Sequence, residues 1–298
     1  MEILHGNFDF LPDTVIALGK FDALHLGHRK IIDTMKKISA EKNLKTVIFT
    51  FDSISSGFIV SKEEKEKILE DCGIDYLYVQ KFDENFKNTS AEDFFSEILV
   101  KKFRAKHVVS GDDWHFGKDK RGNTDMLEKM CGEKNIGFTV VERIKIGGET
   151  VSSSLIRDCV ANGDIKKANA LLGRRLSVEA KVIGGKHLGA KIGFPTVNFA
   201  AEKGRILPQN GVYASVVHYE NKKYLAMTNV GDNPTVDKNI DVRTETHIFD
   251  FDKNVYGEKM RIEFLDKIRD EIKFPSVDAL ISQLKRDKIY IKNNFKNF

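Results

Sequence analysis

The chain has 298 residues, enough for two domains that each bury a core. Its 41% hydrophobic and 31% charged residues are those of a folded globular protein, and a net charge of +4 leaves no concentrated basic face of the kind nucleic-acid binders carry. No apolar run reaches the roughly 20 residues that cross a bilayer, so no membrane partner is expected and a cytoplasmic location is.

Val15 to Leu18 reads as a buried strand, and Gly19 to His28 follows as a glycine-bearing turn. Ile31, Ile32, Met35 and Ile38 then recur at helical spacing. Thr46 to Phe51 is the next strand, completing a strand–helix–strand unit of parallel type. A charged helix over Lys62 to Glu70 and a short strand over Tyr76 to Val79 come next. Ser90 caps a helix carrying Phe94, Phe95, Ile98 and Leu99, and Lys106 to Ser110 returns as strand. The loop from Gly111 to Asn123 holds the only tryptophan between glycines, a composition suited to binding. Asn123 or Thr124 caps a helix to about Lys134, and Phe138 to Val141 is a further strand. Ser152 to Ser154 start another helix with Arg157 in its first turn, and a short helix ends at Gly173. This alternation predicts a doubly wound α/β domain over 1–175, with ligands at the carboxyl edge of its sheet.

After about residue 178 the pattern changes. Val178–Ile183, Val212–Val217, Tyr224–Val230, Val242–Phe249 and Met260–Phe264 are short strands between Gly, Asn and Asp turns, with a closing helix over Ser276 to Lys285. A small antiparallel barrel over 176–298 follows, its Lys/Asn-rich tail from Lys292 expected to fray. Cys72, Cys131 and Cys159 form no Cys-x-x-Cys pair and read as reduced, partly buried thiols.

Three stretches carry chemistry. In His25-Leu26-Gly27-His28 two imidazoles stand at a helix start, where they can donate to phosphate oxygens; the plain alternative is a pair of ordinary histidines. No third ligand stands at a useful spacing for a metal. From Gly184 to Asn198, glycines able to bring backbone N–H groups to phosphates precede a stiff proline and the oxygens of Thr196 and Asn198, which suit Mg²⁺ or its waters; a simple hairpin connection is the other reading. On the strand Arg243-Thr244-Glu245-Thr246-His247 the three ionisable groups share one face, which marks either a solvated edge or a site.

Gly19-Lys20-Phe21-Asp22-Ala23-Leu24-His25-Leu26-Gly27-His28 resembles the HxGH signature of nucleotidyltransferases, in the version found in bacterial bifunctional riboflavin kinase/FMN adenylyltransferases. That family usually has asparagine and glycine where this chain has Lys20 and Ala23, and a Phe-x-Pro-x-Pro segment where it reads Phe51-Asp52-Ser53-Ile54-Ser55-Ser56. Gly111 to Lys118 with Arg121-Gly122-Asn123 is similar to the family's flavin loop. Ser152 to Arg157 is similar to its Ser-Ser-Thr-x-Ile-Arg string, and Gly193-Phe194-Pro195-Thr196-Val197-Asn198 to the riboflavin kinase signature. Glu245-Thr246-His247-Ile248-Phe249-Asp250-Phe251 looks like the catalytic strand, and Asn229 to Thr235 and Ile268 to Phe274 extend the likeness over nearly the whole chain.

The resemblance implies an α/β doubly wound nucleotidyltransferase domain followed by a small antiparallel β-barrel riboflavin kinase domain with a C-terminal helix. The barrel would make FMN from riboflavin and ATP, and the first domain FAD from FMN and a second ATP, releasing pyrophosphate. In the first domain it implies ATP at Gly19, Phe21, Asp22, His25, Gly27, His28, Ser152, Ser154 and Arg157, with His25, His28 and Arg157 assisting catalysis, and FMN at Asp113, Trp114, Phe116, Gly117 and Asn123. In the second it implies ATP at Gly184, Gly189, Gly193, Pro195, Thr196 and Asn198, Mg²⁺ at Thr196 and Asn198, flavin at Arg269, Glu271 and Phe274, and Glu245 as general base. The expected partners are small molecules only, for a monomer or weak oligomer. Lys20, Ala23 and the absent prolines motivate a second reading, a riboflavin kinase whose first domain is degenerate or regulatory. A flavin- or nucleotide-binding sensor without turnover is a third.

Overall fold

A computed structural model describes residues 1–6, 8, 11–52, 57–184, 188–231, 243–296 and 298, the side chains of 188 and 243 excepted. The chain divides into two compact units, Met1–Ser55 with Lys62–Ser152, and Ser56–Ser61 with Ser153–Phe298.

The first unit runs β1 (Glu2–His5), β2 (Thr14–Leu18), α1 (Leu26–Lys42), β3 (Lys45–Asp52), α2 (Lys62–Asp71), β4 (Tyr76–Lys81), α3 (Glu84–Lys87), α4 (Ala91–Asp93), β5 (Ala105–Gly111), α5 (Thr124–Glu133), β6 (Gly137–Val141) and a two-residue ribbon of β7 (Lys145–Ile146) and β8 (Glu149–Thr150). Its sheet is parallel throughout, in the order β1-β4-β3-β2-β5-β6. A parallel sheet needs cover on both faces, and the alternation of the strands supplies two cores. Ile16, Leu18, Val47, Phe49 and Val108 face Phe94, Phe95, Leu99, Phe103, Leu127 and Cys131. Val15, Ala17, Ile48, Leu77 and Val109 face Ile31, Ile32, Met35, Ile38, Leu69 and Cys72. From β2 the chain moves outward to β3 on one side, and later to β5 on the other. The loops after β2 and β5 therefore flank the switch point where open α/β sheets bind ligands.

Two local expectations meet a different structure, and one strand has no counterpart in the sequence pattern. The helix capped by Ser90 turns π-helical over Phe94–Lys102, and the wider winding brings Phe94, Phe95 and Leu99 together into the core. β1 escapes the sequence pattern because only Leu4 of its four residues is buried, so it shows no alternation. Arg157 is the fifth residue of its helix, not in the first turn, because the helix begins at Ser153.

The second unit contains α6 (Ser153–Ala161), α7 (Ile165–Leu172), β9 (Leu176–Ile183), α8 (Leu188–Lys191), β10 (Val197–Ala200), β11 (Gly211–Tyr219), β12 (Lys222–Gly231), β13 (Arg243–Ile248), β14 (Lys259–Arg269) and α9 (Val277–Asn294). Six antiparallel strands close a barrel in the order β10-β13-β12-β11-β14-β9. Inside it the hydroxyls of Ser215, Thr228 and Thr246 link at 2.7 and 2.9 Å, which satisfies three buried polar groups among Tyr213, Phe199 and Phe264. Although α6 and α7 precede residue 175, they pack with the barrel. Asn169 on α7 donates to the Phe264 carbonyl at 2.9 Å and accepts from the Leu176 N–H at 2.6 Å, bridging β14 and β9.

The tail expected to fray is helical to Asn294. Ile291 is fully buried and Phe295 packs on the core that α9 shares with Val212, Ala214 and Met227, which holds the helix well beyond Lys285. All three cysteines are buried, and burial pushes the Cys131 thiol up to about 12.

Burial also holds His28, His107, His218 and His247 below the ordinary imidazole range. The unfolded chain takes up these protons near pH 6.5 while the folded chain resists them, so the stabilisation is complete above about pH 6.5 and is lost as the pH falls through the lower folded values. The thermal midpoint should therefore begin to fall just below about pH 6.5, before the carboxylates titrate. A midpoint flat down to about pH 5 in a calorimetric pH series would contradict this.

Two candidate active sites

In the first unit the loop between β2 and α1 is held by hydrogen bonds from β3 and α2. The Gly19 N–H donates to the Phe49 carbonyl at 3.2 Å, and the Lys20 carbonyl accepts from Thr50 Oγ1 at 2.7 Å and from Lys65 Nζ at 3.4 Å. Phe21 and Leu24 both take left-handed backbone (φ +47°), a strained conformation for side chains of that size and one that clusters at functional sites. Ala23 has no such φ and is fully buried, so alanine in place of the family's glycine costs no backbone strain there.

His25 is the N-cap of α1, its ring Nδ1 accepting from the His28 N–H at 3.3 Å. A nitrogen that accepts carries no proton, so the neutral ring bears its proton on Nε2. The His28 ring stacks on it at 3.8 Å between centroids and 17° between planes. His28 Nδ1 is buried with no hydrogen-bond partner among the described residues. Burial, then His25 and Lys65, hold His28 well below its usual pKa, so it is neutral in the free protein. An added Cβ at Gly27 would press on the His25 ring at 3.0 Å, which explains the glycine. Two aligned imidazoles at the first turn of a 17-residue helix form an anion-binding arrangement.

The loop after β5 has an internal frame. Phe116 and Gly122 exchange backbone hydrogen bonds at 3.0 and 2.9 Å, Phe116 is buried against Phe94, and Asn123 Oδ1 caps α5. Gly117 has φ +72° and lies so close to Ala91 that a Cβ would meet its nitrogen at 2.7 Å. Phe116, Gly117, Gly122 and Asn123 shape the loop, and Asp113 is exposed on it. Trp114 lies nearly parallel to Phe51 at 6.3 Å, and its buried Nε1 has no partner among the described residues.

Ser152 belongs to the first unit, whereas Ser154 and Arg157 are on α6 in the second, where Arg157 Nε donates to the Gly57 carbonyl at 2.8 Å. The proline-free residues 53–56, residues 185–187 of the glycine-rich stretch and residues 232–242, with Asn233 to Thr235, lie outside the described residues.

The barrel unit brings distant residues to one cavity of about 610 Å³ on the outer face of the barrel. Gly189, Thr196, Glu245, Arg269, Glu271 and Phe274 line it, with Asn229, His247 and an apolar wall that includes Phe194, Met227 and Leu284. The sheet register sets one row of it, with Asn198, Glu245 and Asn229 opposite one another on β10, β13 and β12. Period-2 alternation accounts for the rest: Thr244 and Thr246 point inward and are buried, while Glu245 is exposed. Gly189 closes a tight turn, since a Cβ there would overlap the Phe194 carbonyl oxygen. A second cavity, about 400 Å³, is lined by Pro195, Thr196, Val197 and the 251–256 segment, so Thr196 borders both. Gly184 and Gly193 line neither.

Arg269 is clamped by α9. Its Nε and Nη2 each donate to Asp287 Oδ2 at 2.9 Å, Asp287 Oδ1 accepts from Gln283 at 2.7 Å, and the guanidinium lies over the Phe274 ring. The carboxylate is only 3% exposed, so the pair survives by being fully hydrogen-bonded. Among the described residues no three His, Cys, Asp or Glu side chains converge. Thr196 and Asn198 offer neutral hard oxygens, which fit a cation that shares phosphate oxygens as Mg²⁺ does.

Sequence reasoning missed Asp287, Asn229 and Lys65 as parts of these sites. Lys65 stands in the charged run Lys62 to Glu70, where nothing separates it from a solvated helix face. Burial lowers its ammonium pKa, against the pull of Asp22 and Asp52.

Family models describe residues 8–155 as FAD synthetase and residues 172–295 as riboflavin kinase. The chain is 33% identical over 296 residues to a bifunctional riboflavin kinase/FMN adenylyltransferase of Haemophilus influenzae, covering 95% of each chain. It is 34% identical to the Bacillus subtilis protein of the same description, covering 95% of this chain and 93% of that one. A crystal structure described as a macrolide-efflux protein from Streptococcus pneumoniae matches with a TM-score of 0.88 at 30% identity, over 98% of this chain and 99% of that one.

Proposed function

The chain belongs to the bifunctional riboflavin kinase/FMN adenylyltransferase family, and on that premise we propose how its residues divide the work. It is an enzyme that phosphorylates riboflavin to FMN with ATP and adenylylates FMN to FAD. The family is described for enzymes, and among the described residues no helix is long and apolar enough to cross a membrane; the efflux description is left with the Streptococcus protein.

In the barrel, the isoalloxazine of riboflavin occupies the larger cavity against Phe194, Met227, Leu284 and Phe274, with Arg269 and Glu271 at its polar edge. The ATP phosphates lie toward Thr196 and the turn at Gly189, and the nucleoside toward the smaller cavity beside Pro195. Gly184, Gly193 and Asn198 extend that nucleotide site. Glu245 accepts the proton of the ribityl 5′-hydroxyl as its oxygen bonds to the γ-phosphorus and the bond to the leaving ADP oxygen breaks. Thr196 and Asn198 would hold Mg²⁺, which when bound neutralises phosphate charge. The observation that carries this reading is the convergence of residues 189, 196, 245, 269, 271 and 274 on one cavity.

In the first unit, ATP lies over Gly19, Phe21, Asp22, Gly27 and the N-terminus of α1, with the Ser152 hydroxyl among its phosphate contacts. FMN lies along the loop of Asp113 and Trp114, which Phe116, Gly117 and Asn123 shape. An FMN phosphate oxygen attacks the α-phosphorus and pyrophosphate leaves, while His25 and His28 donate to the oxygens that gain charge. Lys65 adds a cation near them.

Incubation with riboflavin, Mg²⁺ and ATP, followed by chromatography, should yield FMN and then FAD. No FMN would overturn the kinase assignment, and FMN without FAD would leave the riboflavin-kinase-only reading.

A further inference from the structure

His247 stands two residues from Glu245, on the strand face that lines the larger cavity, and is 6% exposed. Its Nδ1 lies 2.8 Å from the Pro195 carbonyl oxygen and its Nε2 lies 3.3 Å from Lys288 Nζ on α9. A carbonyl only accepts and an ammonium only donates, so both contacts are made together by one neutral tautomer, with the proton on Nδ1. The ring packs edge-on to Phe194 at 5.2 Å and against Phe249 at 5.4 Å. The charged groups about it are Lys288 and Lys292 of α9 and Asp250. One imidazole thus joins three pieces: the strand of the proposed base, the Phe194-Pro195-Thr196 segment that borders both cavities, and the C-terminal helix.

We propose that His247 is a positioning residue for phosphoryl transfer: its Nδ1–H, bonded to the Pro195 carbonyl, holds Thr196 in place relative to Glu245. The inference rests on the kinase reading of the barrel. Phe194 and Thr196 flank the carbonyl that His247 holds, and Pro195 has no N–H of its own to anchor that stretch. The base needs its substrate hydroxyl in line with a phosphorus bound on the other side of Thr196, and a misplacement near 1 Å costs about 100-fold in such a step. Burial keeps the ring below its ordinary pKa although the Pro195 carbonyl opposes this, in accord with a neutral ring.

The test compares His247→Phe, which keeps the ring but has no donor, with His247→Asn, whose amide nitrogen can take the place of Nδ1–H. For each, riboflavin phosphorylation kinetics, riboflavin affinity from flavin fluorescence, thermal midpoint and FMN adenylylation are measured on the full chain. His247→Phe should lower kcat for phosphorylation about 10- to 100-fold with riboflavin affinity changed less than about threefold. His247→Asn should restore most of kcat, and adenylylation should not change in either. Wild-type kcat in His247→Phe, or an Asn variant as slow as the Phe variant with its midpoint intact, would overturn the proposal. If His247→Phe fails to fold, His247→Leu, apolar and likewise without a donor, takes its place in the comparison with His247→Asn. Absence of phosphorylation by the wild-type chain would instead refute the kinase reading itself.

Discussion

Glu245→Gln is expected to lower the turnover of riboflavin phosphorylation by about 1,000-fold, with FMN adenylylation near the wild-type rate. The substitution changes little besides the proton acceptor. Glu245 is exposed at the cavity wall, and its row partners across the sheet, Asn198 and Asn229, are amides that pair as well with glutamine as with glutamate. The hydroxyl of riboflavin would still sit opposite the γ-phosphate, so KM should move little while kcat falls. Separate assays of FMN formation from riboflavin and FAD formation from added FMN read the two activities. Phosphorylation retained within about tenfold would remove Glu245 as the base.

The converse experiment is His28→Ala, which should cost about 100- to 1,000-fold in FMN adenylylation and leave riboflavin phosphorylation unchanged. His28 is a cleaner target than His25. Removing the His25 ring also removes the N-cap of α1, worth about 1 kcal/mol, and mixes stability with chemistry. His28 caps nothing, and its Nδ1 has no partner among the described residues. An adenylylation rate within a fewfold of wild type would show that the helix N-terminus and the other donors suffice without it.

What the sequence disclosed depended on the range over which each signal acts. Strands β2, β3 and β5 and helix α1 were readable because burial recurs within each element at its own period. The sites were readable where one short stretch holds several contributing residues, as Gly19 to His28 and Gly193 to Asn198 do. Where a role exists only because two remote segments meet, no local pattern announces it. Asp287 is one acid in a charged helix until Arg269 is seen against it, and Lys65 is a surface lysine until α2 is docked beside the Lys20 carbonyl. The four-residue β10 lay hidden behind the glycine turn that precedes it, and α9 outran its expected end because Ile291 and Phe295 have a core to enter. Ala23 could be judged only with the backbone in view, because an alanine replacing glycine is costly or harmless according to φ.

The placement of the cysteines has a practical consequence. Cys72 lies in the layer under α1, Cys131 in the layer on the opposite face of the same sheet, and Cys159 on α6 in the barrel unit. A thiol reagent that reaches none of them in the closed molecule reports, residue by residue, how often each layer opens. The chain thus carries three native exchange clocks, one for each of three packed regions, and mass spectrometry of the labelled peptides can follow them without any engineered probe.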